Sequence, residues 1–585
     1  MKKILFSALF AGILTSCNLA GSSSDSADAI PFQSSENGRW GMIKPDGKIL
    51  FEDEYKNRPT LSFNERFAVK NSDGLWEIYT TAEKPEKVGE EYMQLSDFSS
   101  GVALSVKKGE RIKIIDRDGG TVATLEKSNG KNITRCLSFY DGLAMFTTDD
   151  AAGVIDTKGK IIVEAQKYFY ALPVTSDRII AIEKKYQNKE TKERVLTILD
   201  GSGKELSKVK CSKYDDVNAI MGNGELLAVT QKNDGEVRCG MIDMNGEVVA
   251  KPSPKVKNID GNRKDNFIFS DGENYGVMNR TGDIVIRAKY DKLSWASDEL
   301  LWAYKKNNNS VEANLIDLEG NEITKDSYAD AVEFLDGNNA FVKVADHEWS
   351  IVNKKGEEQK EVKSMNDVYD LANESPDFML QSDFIDIDAI VSYFNMSKTG
   401  MGDFNMTMTV PQMLKVYNEK SGDNVDAETN YMEYKNLFEF IHTMEGAIEV
   451  KVKVTYGEGI GEQKEDGTYA WKNIQPEIIT LSVPCGGMKE KQREIFTKLA
   501  SKAKEQGTVY KENKNACIVN IDNKYGIVVA LEGDDVYAFM CAASVLENID
   551  ISGLDESDTS NVPQGQTTES YSSEETDADY GNTAD

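Results

Sequence analysis

One pattern constrains this chain more than any other: an aromatic or apolar residue, a small or polar one, two apolar ones, then a turn with glycine. The clearest copies are Trp40-Gly41-Met42-Ile43 before Asp46-Gly47, Ala152-Gly153-Val154-Ile155-Asp156 before Gly159, Cys239-Gly240-Met241-Ile242-Asp243 before Gly246, and Tyr275-Gly276-Val277-Met278-Asn279 before Gly282. Weaker copies open at Trp76, Ile112, Leu196, Ala313 and Trp349, so nine starts follow one another at intervals of 36 to 44 residues. A fixed period of this length marks a repeat architecture, in which each unit is a small supersecondary element that buries its apolar faces against its neighbours.

Each period parses into short strands. The opening strand runs into Asp-x-x-Gly or a relative of it, as in Asp156-Thr157-Lys158-Gly159, where glycine supplies the positive φ that a tight hairpin requires. A second strand follows, then a tyrosine-centred segment (Tyr55, Tyr92, Tyr168, Tyr214, Tyr290, Tyr328), then an apolar strand such as Val102 to Val106 or Leu300 to Ala303. About four strands per period is the content of a β-propeller blade, where radial stacking leaves only short edges. The fold expected over residues 37–365 is therefore mainly β, an eight-bladed β-propeller whose ninth start completes the ring, with an open β-solenoid as the alternative.

The Trp-Gly start at Trp40-Gly41, Tyr275-Gly276 and the Lys-Tyr-Asp triplets Lys213-Tyr214-Asp215 and Lys289-Tyr290-Asp291 resemble bacterial WG-repeat (KWG-type) proteins. Most copies lack the tryptophan, and Trp76 lacks the glycine. The resemblance implies binding or scaffolding more than chemistry, and it carries over no catalytic residue.

Lys2 and Lys3 precede the apolar run Ile4 to Leu14, too short to cross the roughly 30 Å hydrocarbon layer as a helix, so residues 1–16 read as a signal peptide. The run ends in Leu14-Thr15-Ser16-Cys17, which resembles a lipobox; the resemblance implies that Cys17 becomes the lipidated first residue, carrying acyl chains such as palmitate. Residues 17–36, rich in Ser, Ala, Gly and Asp, are expected to be a flexible tether. Asn18 follows the cysteine where aspartate marks inner-membrane retention in some bacteria, so the resemblance implies a cell-envelope address at the outer membrane, with the membrane itself a partner.

After about residue 366 the rhythm changes. Helical spacing appears in Phe384–Phe394, Met413–Tyr417 and Tyr434–Ile441, and strand alternation in Ile448–Val454 and Glu477–Val483. A helix over 489–505 and strands over 516–521 and 525–531 follow. Residues 366–550 are thus expected to form an α+β domain. Residues 551–585 hold nine acidic residues and no Lys or Arg, a composition expected to remain disordered.

Charge and histidine content narrow the chemistry. The formal net charge is −30, which sets the molecule's field against phosphate backbones, so no nucleic-acid partner is expected. Only His347 and His442 exist, leaving little room for a His-based metal centre or triad, and both read as packing or turn residues. Cys136, Cys211, Cys239, Cys485, Cys517 and Cys541 are isolated and read as small buried residues. Gly457-Glu458-Gly459-Ile460-Gly461 lacks the following helix of a phosphate loop. Asp116-Arg117-Asp118-Gly119 lacks the distal ligands of a calcium loop. No catalytic, metal or cofactor-binding residue is assigned, and lipidation at Cys17 is the one site residue named. The expected function is a non-catalytic, lipid-anchored recognition platform for a protein or glycan partner. The alternative is an envelope hydrolase acting on glycans through two carboxylates 5 to 10 Å apart.

Overall fold

The computed structural model describes residues 25–35, 38–186, 195–233, 235–307, 310–363, 379–421, 425, 427–437, 441–442, 449–466, 468–485 and 488–551. Cys17, the signal peptide and the acidic tail from 552 onward lie outside the described residues. The chain divides into two compact bodies: residues up to Asp386 together with 438–447, and residues 387–437 with those from 448 on.

The first body is a succession of small antiparallel sheets, and the chain is mainly β. Unit 7 shows the pattern best: strands Asn258–Arg263, Asn266–Ser270, Tyr275–Asn279 and Ile284–Tyr290 pair in chain order. The repeat start is its third strand. Two units are fused through the 15-residue strand Ile161–Thr175, which ends unit 4 and begins unit 5. Counted this way there are nine units among the described residues. The first is Ile30–Phe32, Trp40–Ile43 and Ile49–Tyr55, and the ninth is Asp330–Ala331, Asn339–Ala345, Glu348–Asn353 and Glu358–Lys363.

This corrects two expectations. Eight blades follow from counting the intervals between starts, but each start lies within its own sheet, at the second strand in units 1 and 2 and at the third in the other seven, so an interval straddles two units and nine starts mean nine units. The leading strand of unit 1 lies inside the segment expected to be tether: Ile30 pairs with Ile43 and Phe32 with Gly41, and Ala27, Ala29, Ile30 and Phe32 are buried. A few apolar residues within a small-residue stretch suffice when a waiting edge strand offers them backbone partners.

The glycine of the repeat start has a steric cause. In the outer strand opposite it the register shifts, between Tyr275 and Val277 in unit 7, and the bulged backbone leans onto the glycine. A Cβ on Gly276 would lie 2.5 Å from the Ile286 carbonyl oxygen and 2.8 Å from the Ala288 nitrogen. The bulge returns the strand so that the tyrosine faces the start: Trp40 pairs with Tyr55, Trp76 with Tyr92, Ala152 with Tyr168 and Tyr275 with Tyr290.

Both faces of a unit are apolar, so its core is shared. Ile259, Phe267, Phe269 and Met278 of unit 7 pack with Leu226, Met241 and Ala250 of unit 6. On its other face Ile268, Val277 and Ile286 pack with Leu293, Leu301 and Ile316 of unit 8.

The second body begins at Ile387, about twenty residues later than expected, because Met379–Gln381 pairs with a strand of unit 4. Its antiparallel sheet runs in the order Tyr431–Leu437, Glu449–Thr455, Ile478–Pro484, Asp535–Ala542, Tyr525–Glu532, Ala516–Ile521, Thr508–Glu512. Helices α1 (Ile387–Phe394), α2 (Val410–Ser421) and α3 (Lys489–Lys504) accompany it, α3 burying Ile495, Phe496, Leu499 and Ala503. The helix expected over 434–441 is instead strand Tyr431–Leu437, in which buried Met432 alternates with exposed Tyr431 and Glu433, a period of two that pairing with Glu449–Thr455 enforces. Among the described residues no helix is long and apolar enough to cross a membrane.

Replacing Gly276 with Ala forces the outer strand of unit 7 away. The expected cost is about 1–3 kcal/mol, the usual penalty of overpacking, read as a lowered urea midpoint with an unchanged slope.

Candidate interaction surface

Built upward from the repeat, most chemistry-bearing side chains turn out to be occupied. The turn aspartate is a backbone acceptor: Asp156 Oδ1 takes the N–H groups of Lys158 and Lys160, each at 2.9 Å, while Gly159 N–H donates to the Asp156 carbonyl at 3.0 Å. Asp116 is used identically, by Asp118 N–H at 2.9 Å and Gly120 N–H at 2.8 Å, which accounts for the calcium-like spelling of that turn. The Lys-Tyr-Asp triplet is structural too. Lys289 Nζ lies 4.9 Å from the Tyr290 ring, and Asp291 accepts the Lys306 N–H at 2.8 Å. Tyr92, Tyr168, Tyr214, Tyr290 and Tyr328 are all buried and present no stacking face to a sugar.

The titratable groups follow the same logic. The six described cysteines are buried thiols outside any disulfide, and burial pushes the thiol pKa up at Cys136, at Cys485 to about 12 and at Cys541 to about 11, which opposes thiolate formation. His347 is exposed in a turn with φ of 64°. The Ile441–His442 backbone forms a short strand with Phe384–Ile385 instead of the expected helix. Burial raises the carboxyl pKa of Asp28 and of Asp260, but Asp28 lies at the start of unit 1 and Asp260 on the first strand of unit 7. In the lysine-rich stretch 184–194, Lys184–Tyr186 forms a single 3₁₀ turn, and residues 187–194 lie outside the described residues.

Glu183, 4% exposed, is a buried carboxylate that takes three lysine ion pairs. Burial alone would raise its pKa. Salt bridges from Lys208 at 2.8 Å, Lys185 at 2.9 Å and Lys167 at 3.3 Å outweigh that and hold it at about 2.

Two features remain directed outward or toward another chain segment. Exposed apolar residues recur on the outer strands just after the turn glycine: Ile49, Val122, Leu206, Val248, Ile284 and Val285, each between 36% and 50% exposed. The sequence held the signal for them, since each follows a turn glycine by two or three positions, but a strand's exposed face is decided by what lies beside it. The second feature is the strap Met379–Asp386, which lies across units 3 and 4. Leu380 is buried in their shared core, and the Arg111 guanidinium, its pKa lowered by burial, lies 3.6 Å from the Phe384 ring centroid. Nothing in its composition marks it as part of the repeat body.

With this geometry in view, residues 275–309, spanning the third and fourth strands of unit 7 and the first two of unit 8, match the family model of the WG containing repeat. The chain carries a WG repeat. No curated protein matches it. Among solved structures it is similar to the computationally designed Ika8 protein, at 12% identity and a TM-score of 0.31 over 54% of this chain and 100% of that one. BamB from Moraxella catarrhalis gives 14% and 0.28 over 51% and 90%, and the C-terminal WD40 domain of Sif2 gives 11% and 0.27 over 59% and 91%. Scores this low assign no fold, so the units are described from their own pairing.

Because the folded pKa of Glu183 lies below the unfolded value of about 4.3, its ion pairs stabilise the fold fully above that pH and cease to do so as pH falls toward 2. The Glu183→Gln variant should melt below wild type at pH 6. That gap should shrink steadily between about pH 4.3 and pH 2 in thermal scans.

Proposed function

We propose that the protein is a lipid-anchored envelope recognition platform, non-catalytic, whose nine WG units close into a propeller and present their outer strands to a protein partner. The observation that carries the reading is the recurrence of exposed apolar side chains at two adjacent positions of the outer strand in units 1, 3, 5, 6 and 7, Ile49, Val248 and Ile284 at the first and Val122, Leu206 and Val285 at the next. Isolated exposed hydrophobics are ordinary, but a periodic set on successive units forms a surface, and such surfaces commonly meet other proteins. With five of the six repeat tyrosines buried and the half-buried Tyr55 packed against Phe51, Phe67 and Tyr79, a protein is favoured over a glycan.

Closure of the ring is supported by the equivalence of contacts. In consecutive units the turn glycine rests on the outer strand of the unit before it: Gly159 on Ala123, Gly203 on Ile162, Gly246 on Val209, Gly282 on Ala250. Gly47 of unit 1 rests in the same way on Lys360 and Ile351 of unit 9, and the Lys360 ammonium donates to the Gly47 carbonyl. Ile30, Phe32 and Ile43 share a core with Phe341, Trp349 and Ile351. An open solenoid would leave those two faces to caps instead. Anchoring at Cys17 and an outer-membrane address rest on the lipobox resemblance.

Two experiments test this. Cys17→Ala should move the protein from the membrane to the soluble fraction, and unchanged partitioning counts against the anchor. Crosslinking in intact cells should capture a protein partner with wild type but at least tenfold less with Leu206→Glu/Val248→Glu, whose melting temperature stays within a few degrees. Equal capture by the variant, or glycan-array binding without protein capture, overturns the outer-strand reading.

A further inference from the structure

The first strand of a unit is an edge. In units 3, 6, 7 and 9 it ends its sheet, whereas in unit 4 the edge strand Arg135–Leu137 is taken by Met379–Gln381, which lies more than 240 residues further along the chain. Pairing is antiparallel, with Arg135 opposite Gln381, Cys136 opposite Leu380 and Leu137 opposite Met379.

The other edge of this added strand is also met. The Gln94 side-chain amide, from the first strand of unit 3, imitates a neighbouring backbone: its Nε2 donates to the Gln381 carbonyl at 2.7 Å and its Oε1 accepts the Gln381 N–H at 2.9 Å. The strap then steps along the groove between the units. Ser382 donates from N–H to the Thr134 carbonyl and from Oγ to the Ile133 carbonyl, each at 2.9 Å. Asp383 N–H donates to the Glu110 carbonyl at 3.0 Å, and its carboxylate accepts the Gly109 N–H at 2.9 Å. Beyond it Phe384 sits under Arg111, and Asp386 lies 3.3 Å from Asn132 Nδ2 and 3.6 Å from Lys127 Nζ.

This is how proteins bind extended peptides: main-chain pairing along an edge, with pockets for alternate side chains that select sequence. Here the selected groups are Leu380, fully buried, and Phe384, 3% exposed, with acidic groups at Asp383 and Asp386. We propose that the groove between units 3 and 4 is a peptide-recognition site held in cis by residues 379–386, and that an extended segment of a partner protein with the pattern leucine, amide, serine, aspartate, phenylalanine displaces the strap. The site is distinct from the outer strands and stands or falls separately from them. It rests on the recognition reading only for its use.

The test uses the full chain and a fluorescent peptide of sequence 379–386. In the Leu380→Asp variant the cis strap loses its buried anchor while the groove is untouched. Anisotropy should show saturable peptide binding to this variant, and at least tenfold weaker binding to wild type, where the tethered copy competes at high effective concentration. A peptide carrying Leu380→Asp should bind neither. Absence of binding to a variant that melts like wild type overturns the proposal. Should the variant not fold, hydrogen exchange on wild type decides. Amides of Gln381, Ser382 and Asp383 exchanging at least a hundredfold faster than those of Val154 and Ile155 support a displaceable strap, and exchange at the same rate overturns it.

Discussion

A single unit of this repeat cannot bury its own sheet. Both faces of every central strand are apolar, as the fully buried run Val102–Val106 shows, and a four-stranded sheet of this size has no layer of its own to cover either face. Stability therefore belongs to the interfaces. Ile268 and Val277 serve the unit after theirs while Phe267 and Phe269 serve the one before, so removing one unit would expose two cores. The shared core explains why the period is kept more strictly than the residues within it. Trp, Ala, Cys and Tyr all stand at the repeat start, because what an interface needs is volume at the right depth.

The repeat glycine holds that depth. In units 1, 4, 6 and 7, where it is present, its missing side chain lets the bulged outer strand close directly over the repeat start. Unit 2 keeps the bulge and the Trp76–Tyr92 pairing with glutamate at that position, so the glycine sets how closely the strand can approach and does not by itself create the bulge. The polar residues of the repeat, the turn aspartates and the lysines over tyrosine rings, satisfy backbone groups and aromatic faces at the same joints. Two features are not absorbed by these joints: the exposed apolar positions of the outer strands, and an edge strand that one segment of distant sequence has entered.

Spacing alone located every repeat start, because glycine at a close approach and Asp-x-x-Gly at a hairpin are local requirements with few solutions. Phase was harder. The motif beginning at Trp40 lies mid-unit, and the leading strand at Ile30–Phe32 has only three apolar-compatible residues, which look like tether until a paired edge is beside them. Tyr431–Leu437 was ambiguous for a similar reason: Tyr434, Leu437 and Ile441 fit a helical stripe as well as a strand, and the decision came from a partner strand. The strap at Leu380–Phe384 has no periodic signature at all.

The sequence by itself determined the period, the hairpins and the acidic, histidine-poor composition, since each of these follows from the stereochemistry or the count of a few residue types. The tertiary structure decided which strand edges are covered, that unit 9 meets unit 1 through Lys360 and Gly47, and that Gln94 grips Gln381 from 287 residues away. Those contacts depend on where distant segments end up in space, and an edge strand's own residues do not specify the segment that will pair with it.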